Sequence, residues 1–147
     1  MILGCLTIAA TPGNNRIIRA NTFILEDASG KILATMAANK NRLEFTMADE
    51  NERPRIMMSV EEDGPALAMM DENGKKRALM DVGKVGPKLL MMDENGKTRA
   101  GLDVGKHGPL LLMMDENGKK RAGLNVNRDR AGMFLCDANG KPIWQAP

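Results

Sequence analysis

Six aspartates recur at a fixed interval of 22 residues: Asp27, Asp49, Asp71, Asp93, Asp115 and Asp137. In the third, fourth and fifth copies each opens the tetrapeptide Asp-Glu-Asn-Gly. Carboxylate and amide oxygens this close are hard donors of the kind calcium takes, and calcium loops open D-x-[DN]-x-[DN]-G. Here the loop is too short, the second acidic ligand is missing, and no bidentate glutamate follows at the right distance. A lysine also stands directly after the glycine, so the residues read as turn chemistry rather than as a metal site. The pairs Met69–Met70, Met91–Met92 and Met113–Met114 offer soft thioethers suited to copper(I). Neighbouring residues of a strand point to opposite faces, so such a pair cannot chelate, and methionine as adaptable filler is the better account.

The remaining reactive types are sparse. His107 is the only histidine, at a position that Val85 and Asp129 fill in the flanking copies. A serine–histidine–aspartate set would have to rest on that one loop residue. Cys5 and Cys136 lie at opposite ends of the chain and read as free thiols rather than as a disulfide framework. Arg77, Arg99 and Arg121, with Lys76 and Lys120, form a basic column that could meet a phosphate, but the aspartate and glutamate columns beside it offset the charge. Gly-Lys recurs without the rest of a phosphate-binding loop. No catalytic, cofactor-binding or metal-ligating residue is assigned, and the chain reads as a non-enzyme without a cofactor.

Composition narrows the field further. The 147 residues carry 21 basic and 19 acidic side chains, a net charge of +2, which gives no argument for nucleic-acid binding. Three phenylalanines, one tryptophan and no tyrosine leave little material for base stacking. The opening MILGCLTIAA is apolar but too short to span a bilayer, and it reads as an N-terminal strand, with a trimmed export signal as the alternative.

These residues sit in a repeat. GPALAMMDENGKKRALMDVGKV (64–85), GPKLLMMDENGKTRAGLDVGKH (86–107) and GPLLLMMDENGKKRAGLNVNRD (108–129) are nearly identical. Asn73-Gly74 between two apolar runs is the signature of a two-residue type I′ hairpin turn. That turn sets Glu72 against Lys75, Asp71 against Lys76, Met70 against Arg77, Met69 against Ala78 and Leu67 against Met80. Equivalent pairs follow in the next copies, with Lys88 against Asp103. Asn51-Glu52 loses the glycine, so the second copy should turn more loosely. Gly83-Lys84-Val85-Gly86-Pro87 is the second reversal.

The expected fold is therefore all-β, with six tandem hairpins in an elongated antiparallel body. Residues 1–19 form a lead-in strand segment and 20–147 the repeat domain, divided as 20–41, 42–63, 64–85, 86–107, 108–129 and 130–147. A β-solenoid with 22 residues per rung is the rival. It would stack Glu72, Glu94 and Glu116 about 4.8 Å apart, where like charges repel. The face bearing Leu67, Met69, Met80 and Val82, with Leu111 and Met113, is expected to form the core within the chain. The first strands of the fourth and fifth copies are apolar on their other side too. Leu90, Met92, Leu110, Leu112 and Met114 are accordingly expected at an interface between copies of the chain.

The pattern D-x-x-G-K-x-R-A-x-L-x-V, with Gly-Pro between units and a closing G-K-x-x-W-x-A-P, resembles a family of uncharacterised bacterial tandem-repeat proteins over residues 20 to 147. More loosely the chain resembles the repetitive β-fibres of phage tail proteins. In the bacterial family the repeats often follow a membrane anchor or a coiled coil. The resemblance thus implies a trimeric stalk or fibre at the cell surface, and it brings no catalytic residues. The expectation is a structural protein that assembles with itself. The alternative is a module that presents its ladder of repeated side chains to a ligand or polyanion.

Overall fold

The computed structural model describes residues 19–147. The lead-in strand expected over the first ten residues, and Cys5 within it, lie outside the described residues. The rest folds into twelve strands: β1 (Thr22–Glu26), β2 (Ile32–Asn39), β3 (Arg42–Ala48), β4 (Pro54–Glu61), β5 (Gly64–Met70), β6 (Lys76–Gly83), β7 (Gly86–Met92), β8 (Thr98–Gly105), β9 (Gly108–Met114), β10 (Lys120–Val126), β11 (Ala131–Cys136) and β12 (Pro142–Ala146). They form one antiparallel sheet in sequence order. Among the described residues every strand contact is with the preceding or following strand, so the sheet is a single open layer and β1 does not meet β12. Chain neighbours pair, as the hairpin reading expects, and no parallel stacking of the solenoid kind occurs.

The register in the strand bodies matches the sequence reading: Leu67 faces Met80, Met69 faces Ala78, Leu89 faces Leu102 and Lys88 faces Asp103. The turns differ. Gly74 N–H donates to Asp71 O at 3.0 Å and Asp71 N–H to Lys75 O at 2.9 Å, which closes a three-residue loop rather than a two-residue one. Of the loop residues only Gly74 has positive φ, at 75°. The arrangement is a type I turn closed by a left-handed glycine. Its cause is the aspartate. Asp71 Oδ1 accepts from Asn73 N–H at 2.9 Å and Lys75 N–H at 3.0 Å, so one carboxylate oxygen holds the turn in shape. Near the turn the pairing is therefore Met70 with Lys76, not Met70 with Arg77. One extra residue, Arg77, then bulges out, and the predicted register resumes at Ala78. Arg55, Arg99 and Arg121 occupy the same bulge in their hairpins, and Leu33 and Ile143 occupy it in the terminal ones.

The second reversal is tighter still. Gly83 pairs with Gly86 across Lys84 and Val85. Gly86 has φ of 135°, and a Cβ there would lie 2.0 Å from the Val104 carbonyl oxygen of the neighbouring hairpin. Gly64 and Gly108 meet Val82 O and Val126 O in the same way. These corners need glycine for space as well as for backbone conformation.

Two further expectations are overturned. The second copy's turn is no looser than the others, since Glu52 N–H donates to Asp49 O at 2.9 Å and Asp49 N–H to Arg53 O at 2.9 Å. Among the described residues the face of Leu67, Met69, Met80 and Val82 is not a core, because none of them forms a second layer over it. Leu111 keeps 37% of its surface exposed and Met113 47%. The buried apolar side chains among the described residues are the small Ala34, Ala68 and Cys136. A meander that neither closes nor folds over has no inside, whatever its strands' polarity.

Candidate functional site

Three features of the sheet offer chemistry: an apolar face, a ladder of side chains along the turn edge, and a groove bordered by charged residues on the opposite face.

Cross-strand partners share a face, so the register sorts the residues. One face carries Phe23 and Leu25 on β1, Ala34, Met36 and Ala38 on β2, and Leu43, Phe45 and Met47 on β3. It continues through Ile56, Met58 and Val60 on β4 to Leu135 and Trp144 at the far end. Every paired position on this face is apolar, over all twelve strands. Among the described residues, twenty of the 24 large hydrophobic residues that stand exposed belong to it. It dips to a hollow of about 490 Å³ over Met36, Phe45, Met58 and Met80. Strand spacing of about 4.8 Å and rise of about 3.3 Å per residue give the face an area on the order of 1,000 Å². Soluble monomers rarely leave more than a few hundred Å² of continuous apolar surface open.

The predicted interface residues lie on the other face. Leu90 pairs with Leu79, Leu110 with Asp103, Leu112 with Gly101, Met92 with Thr98 and Met114 with Lys120. The structure brings all five to one side and leaves them half-buried. Part of that cover is local: the Leu90 side chain lies over Gly101 and the Phe134 ring over Gly123, each filling the space that a glycine leaves. Charged residues interrupt this face. Asp81, Lys88 and Asp103 stand side by side, and the Lys88 ammonium reaches Asp81 at 3.3 Å. They border a groove of about 720 Å³ that Arg42 and Lys76 also line.

The turn edge was the least visible in the sequence. Arg77 Nε donates to Met92 O of the next hairpin at 3.0 Å, and its Nη1 lies 3.5 Å from Asp71 Oδ2. Arg55, Arg99 and Arg121 repeat the first contact on Met70 O, Met114 O and Cys136 O. One step outward, Lys75 Nζ donates to Glu94 O at 2.8 Å, and Lys97 and Lys119 follow on Glu116 O and Ala138 O. The arginines of the basic column are thus turned inward to tie consecutive hairpins together, while Lys76 and Lys120 stay exposed. The Asp71 carboxyl is lowered from its ordinary value of 3.8: partial burial works to raise it, but the amides of Lys75 and Asn73 and the Arg77 guanidinium outweigh that. Asp93 and Asp115 are lowered for the same reasons, burial again opposing and turn amides prevailing. In each case one carboxylate oxygen serves two backbone amides and the other faces a guanidinium. The signal in the sequence was the constant spacing of six residues from aspartate to arginine. Its meaning depends on the bulge, which the two-residue turn reading did not contain.

His107 sits exposed in the turn between β8 and β9, as its position in the repeat suggested. No group of three or more histidine, cysteine, aspartate or glutamate side chains among the described residues is placed to hold a metal. No helix among them is long and apolar enough to cross a membrane.

No family model matches the sequence, and no curated protein matches it. Among solved structures the chain is similar to a mutant of S. aureus TarM in complex with fondaparinux, alpha-GlcNAc-glycerol and UDP. The identity is 11% and the TM-score 0.32, and the match covers 78% of this chain and 21% of that one. The chain therefore spans about a fifth of the length of that protein.

Proposed function

We propose that the protein is a non-enzymatic structural repeat protein that assembles with copies of itself into a fibre, stalk or scaffold. The observation that carries this reading is the uninterrupted apolar face on a sheet over which the described residues place no second layer. Twelve strands with nothing to pack against bury too little to stand alone comfortably in water, and a repeated body supplies the same contact along its whole length. The half-buried Leu90, Met92, Leu110, Leu112 and Met114 on the opposite face are a second contact, through which the assembled sheets extend into a longer body. Sedimentation velocity on the purified chain tests this: a mass of two or more chains at micromolar concentration is expected, and a monomer overturns it.

The groove beside Arg42, Lys88 and Asp103 favours a second reading, a module that binds a ligand of mixed charge. A monomer that titrates with an anionic oligosaccharide or peptide would put that reading first.

A further inference from the structure

One row of the apolar face is toothed. Across β5 to β10 it runs Met69, Ala78, Met91, Ala100, Met113, Ala122, each residue directly paired with the next. The methionines stand 47%, 49% and 47% exposed, and each is separated from the next by an alanine. At about 4.8 Å between strands the teeth recur every ~10 Å, with a gap of one strand's width between them. The row beside it, through Leu67, Met80, Leu89 and Leu102, is filled at every position and has no such gaps. Beyond the toothed stretch the same row turns bulky at both ends, with Met47 and Ile56 on one side and Leu135 and Trp144 on the other.

Resting on the self-assembly reading, we propose that two copies of the chain pack through this face, with Met69, Met91 and Met113 of each seated over Ala78, Ala100 and Ala122 of the other. The match is one of period: a second copy carries teeth at the same spacing by construction, and a two-fold axis running along the strands between β7 and β8 sets Met69, Met91 and Met113 of one copy over Ala122, Ala100 and Ala78 of the other. Sheets pack face to face about 10 Å apart, the depth over which such side chains interdigitate. The face offers on the order of 1,000 Å² per copy, against about 800 Å² per partner in an ordinary stable complex. A lipid surface fits less well, since the bordering turns carry Glu72, Glu94 and Glu116 as regularly as Lys75, Lys97 and Lys119.

The test is sedimentation velocity with far-UV circular dichroism on the full chain and three variants. Wild type should run as two copies, or as multiples of two where the opposite faces also join. Leu102→Glu, on the same face but outside the toothed row, should run as a monomer with its strand signal retained. The triple variant Ala78→Met, Ala100→Met and Ala122→Met keeps the face apolar but fills the gaps, and should dissociate at least tenfold more readily than wild type. Should that triple variant lose its strand signal, the Met91→Ala, Met113→Ala double variant takes its place, with the same tenfold weakening expected. Filled gaps with undiminished pairing overturn the interlocking. A wild-type trimer, or an oligomer that survives Leu102→Glu, overturns the face-to-face pair but leaves self-assembly standing. A wild-type monomer overturns both, and a monomer that binds neutral phosphatidylcholine vesicles identifies lipid as the occupant instead.

Discussion

Arg77 follows Asp71 by six residues in one hairpin, and the bulge at Arg77 folds its guanidinium back to 3.5 Å from that carboxylate while Nε reaches Met92 O in the next hairpin. One side chain thus braces its own turn and ties it to its neighbour. The tie recurs from Arg55 to Arg121, so the turn edge is continuous through the repeat. A single-layer sheet has few other cross-hairpin contacts beyond the strand ladder itself.

Replacing Arg99 with alanine should therefore weaken two hairpins at once. The guanidinium is about 40% exposed, so solvent screens the ion pair and the bond to Met114 O carries most of the effect. A loss of about 1 kcal/mol is expected. Lysine should restore little, because an ammonium lacks the fork that addresses a carbonyl and a carboxylate together. Thermal melts of the three proteins check this, and equal stability of Arg99→Ala and wild type would remove the tie from the account.

Two kinds of glycine should respond differently to the same substitution. At Gly96, φ is 78° and a Cβ would meet open space, so Gly96→Ala costs only backbone strain of about 1 kcal/mol. At Gly86 the Cβ would lie 2.0 Å from Val104 O, and one strand must move. Gly86→Ala should therefore cost clearly more, about 2–4 kcal/mol. Chemical denaturation of the pair measures the difference, and the reverse order would mean that the corner is softer than its geometry.

Glu52 holds the turn glycine's place in the second hairpin at a φ of 59°. Glu52→Gly relieves about 1 kcal/mol of strain. It also removes the bond that Glu52 Oε1 accepts from Ile32 N–H at 3.0 Å, whose loss at an exposed site offsets part of the gain. A net stabilisation of a few tenths of a kcal/mol is expected by thermal melting. Gly96→Val, by contrast, should destabilise by more than Gly96→Ala, since a β-branched residue resists positive φ more strongly.

These positions also mark how far the sequence could be read. The strand register was legible because apolar residues alternate with period two, and any slip by one would have placed Arg, Asp and Lys among Leu and Met. The turn was misread because Asn-Gly serves two hairpin types, and the choice lay with the aspartate two residues earlier, whose carboxylate organises the longer loop. The intrachain core was misread for a different reason. An apolar face announces that something covers it, but periodicity within a strand does not say whether the cover is the same chain. Leu111 and Leu112 look alike in sequence; the structure leaves the first open on the uninterrupted face and sets the second half-buried on the other, between Gly101 and Gly123 of the neighbouring strands.

That difference yields a prediction opposite to the one a core would give. Leu111→Glu should disperse the assembly while leaving the strand signal, because the side chain is already open in the single chain. Light scattering and circular dichroism decide it, and loss of strand signal with Leu111→Glu would show that the face is internal after all.

Acid should loosen the turns in a defined direction. The Asp71, Asp93 and Asp115 carboxyls are held below 3.8, with burial opposing and the turn amides and arginines prevailing. The unfolded chain therefore binds protons more readily than the folded one as pH falls below about 4, and stability drops with pH. The contribution is complete above the ordinary carboxylate range and is lost as pH falls through the lowered values of the folded chain. Melting temperature should be flat from pH 7 to 5 and fall below 4. Asp93→Asn, which cannot titrate, should melt lower at neutral pH and show a shallower fall in acid, and an unchanged acid slope would remove the turn aspartates as its cause.

Stability should also depend on how much protein is present. None of the described large side chains is fully buried within the single chain, so much of the apolar burial that favours folding is available only on association. A partner that binds the folded sheet and not the unfolded chain raises the melting temperature by mass action. Each tenfold increase in concentration above the dissociation constant should add about 1.4 kcal/mol per dimerisation event. Melting wild type across a hundredfold range of concentration should then show a steady upward shift, and Leu102→Glu should show none and melt lower throughout. A wild-type midpoint that does not move would mean that the isolated sheet is stable as it stands, and the covering of its apolar face by a second copy would no longer be needed to account for its folding.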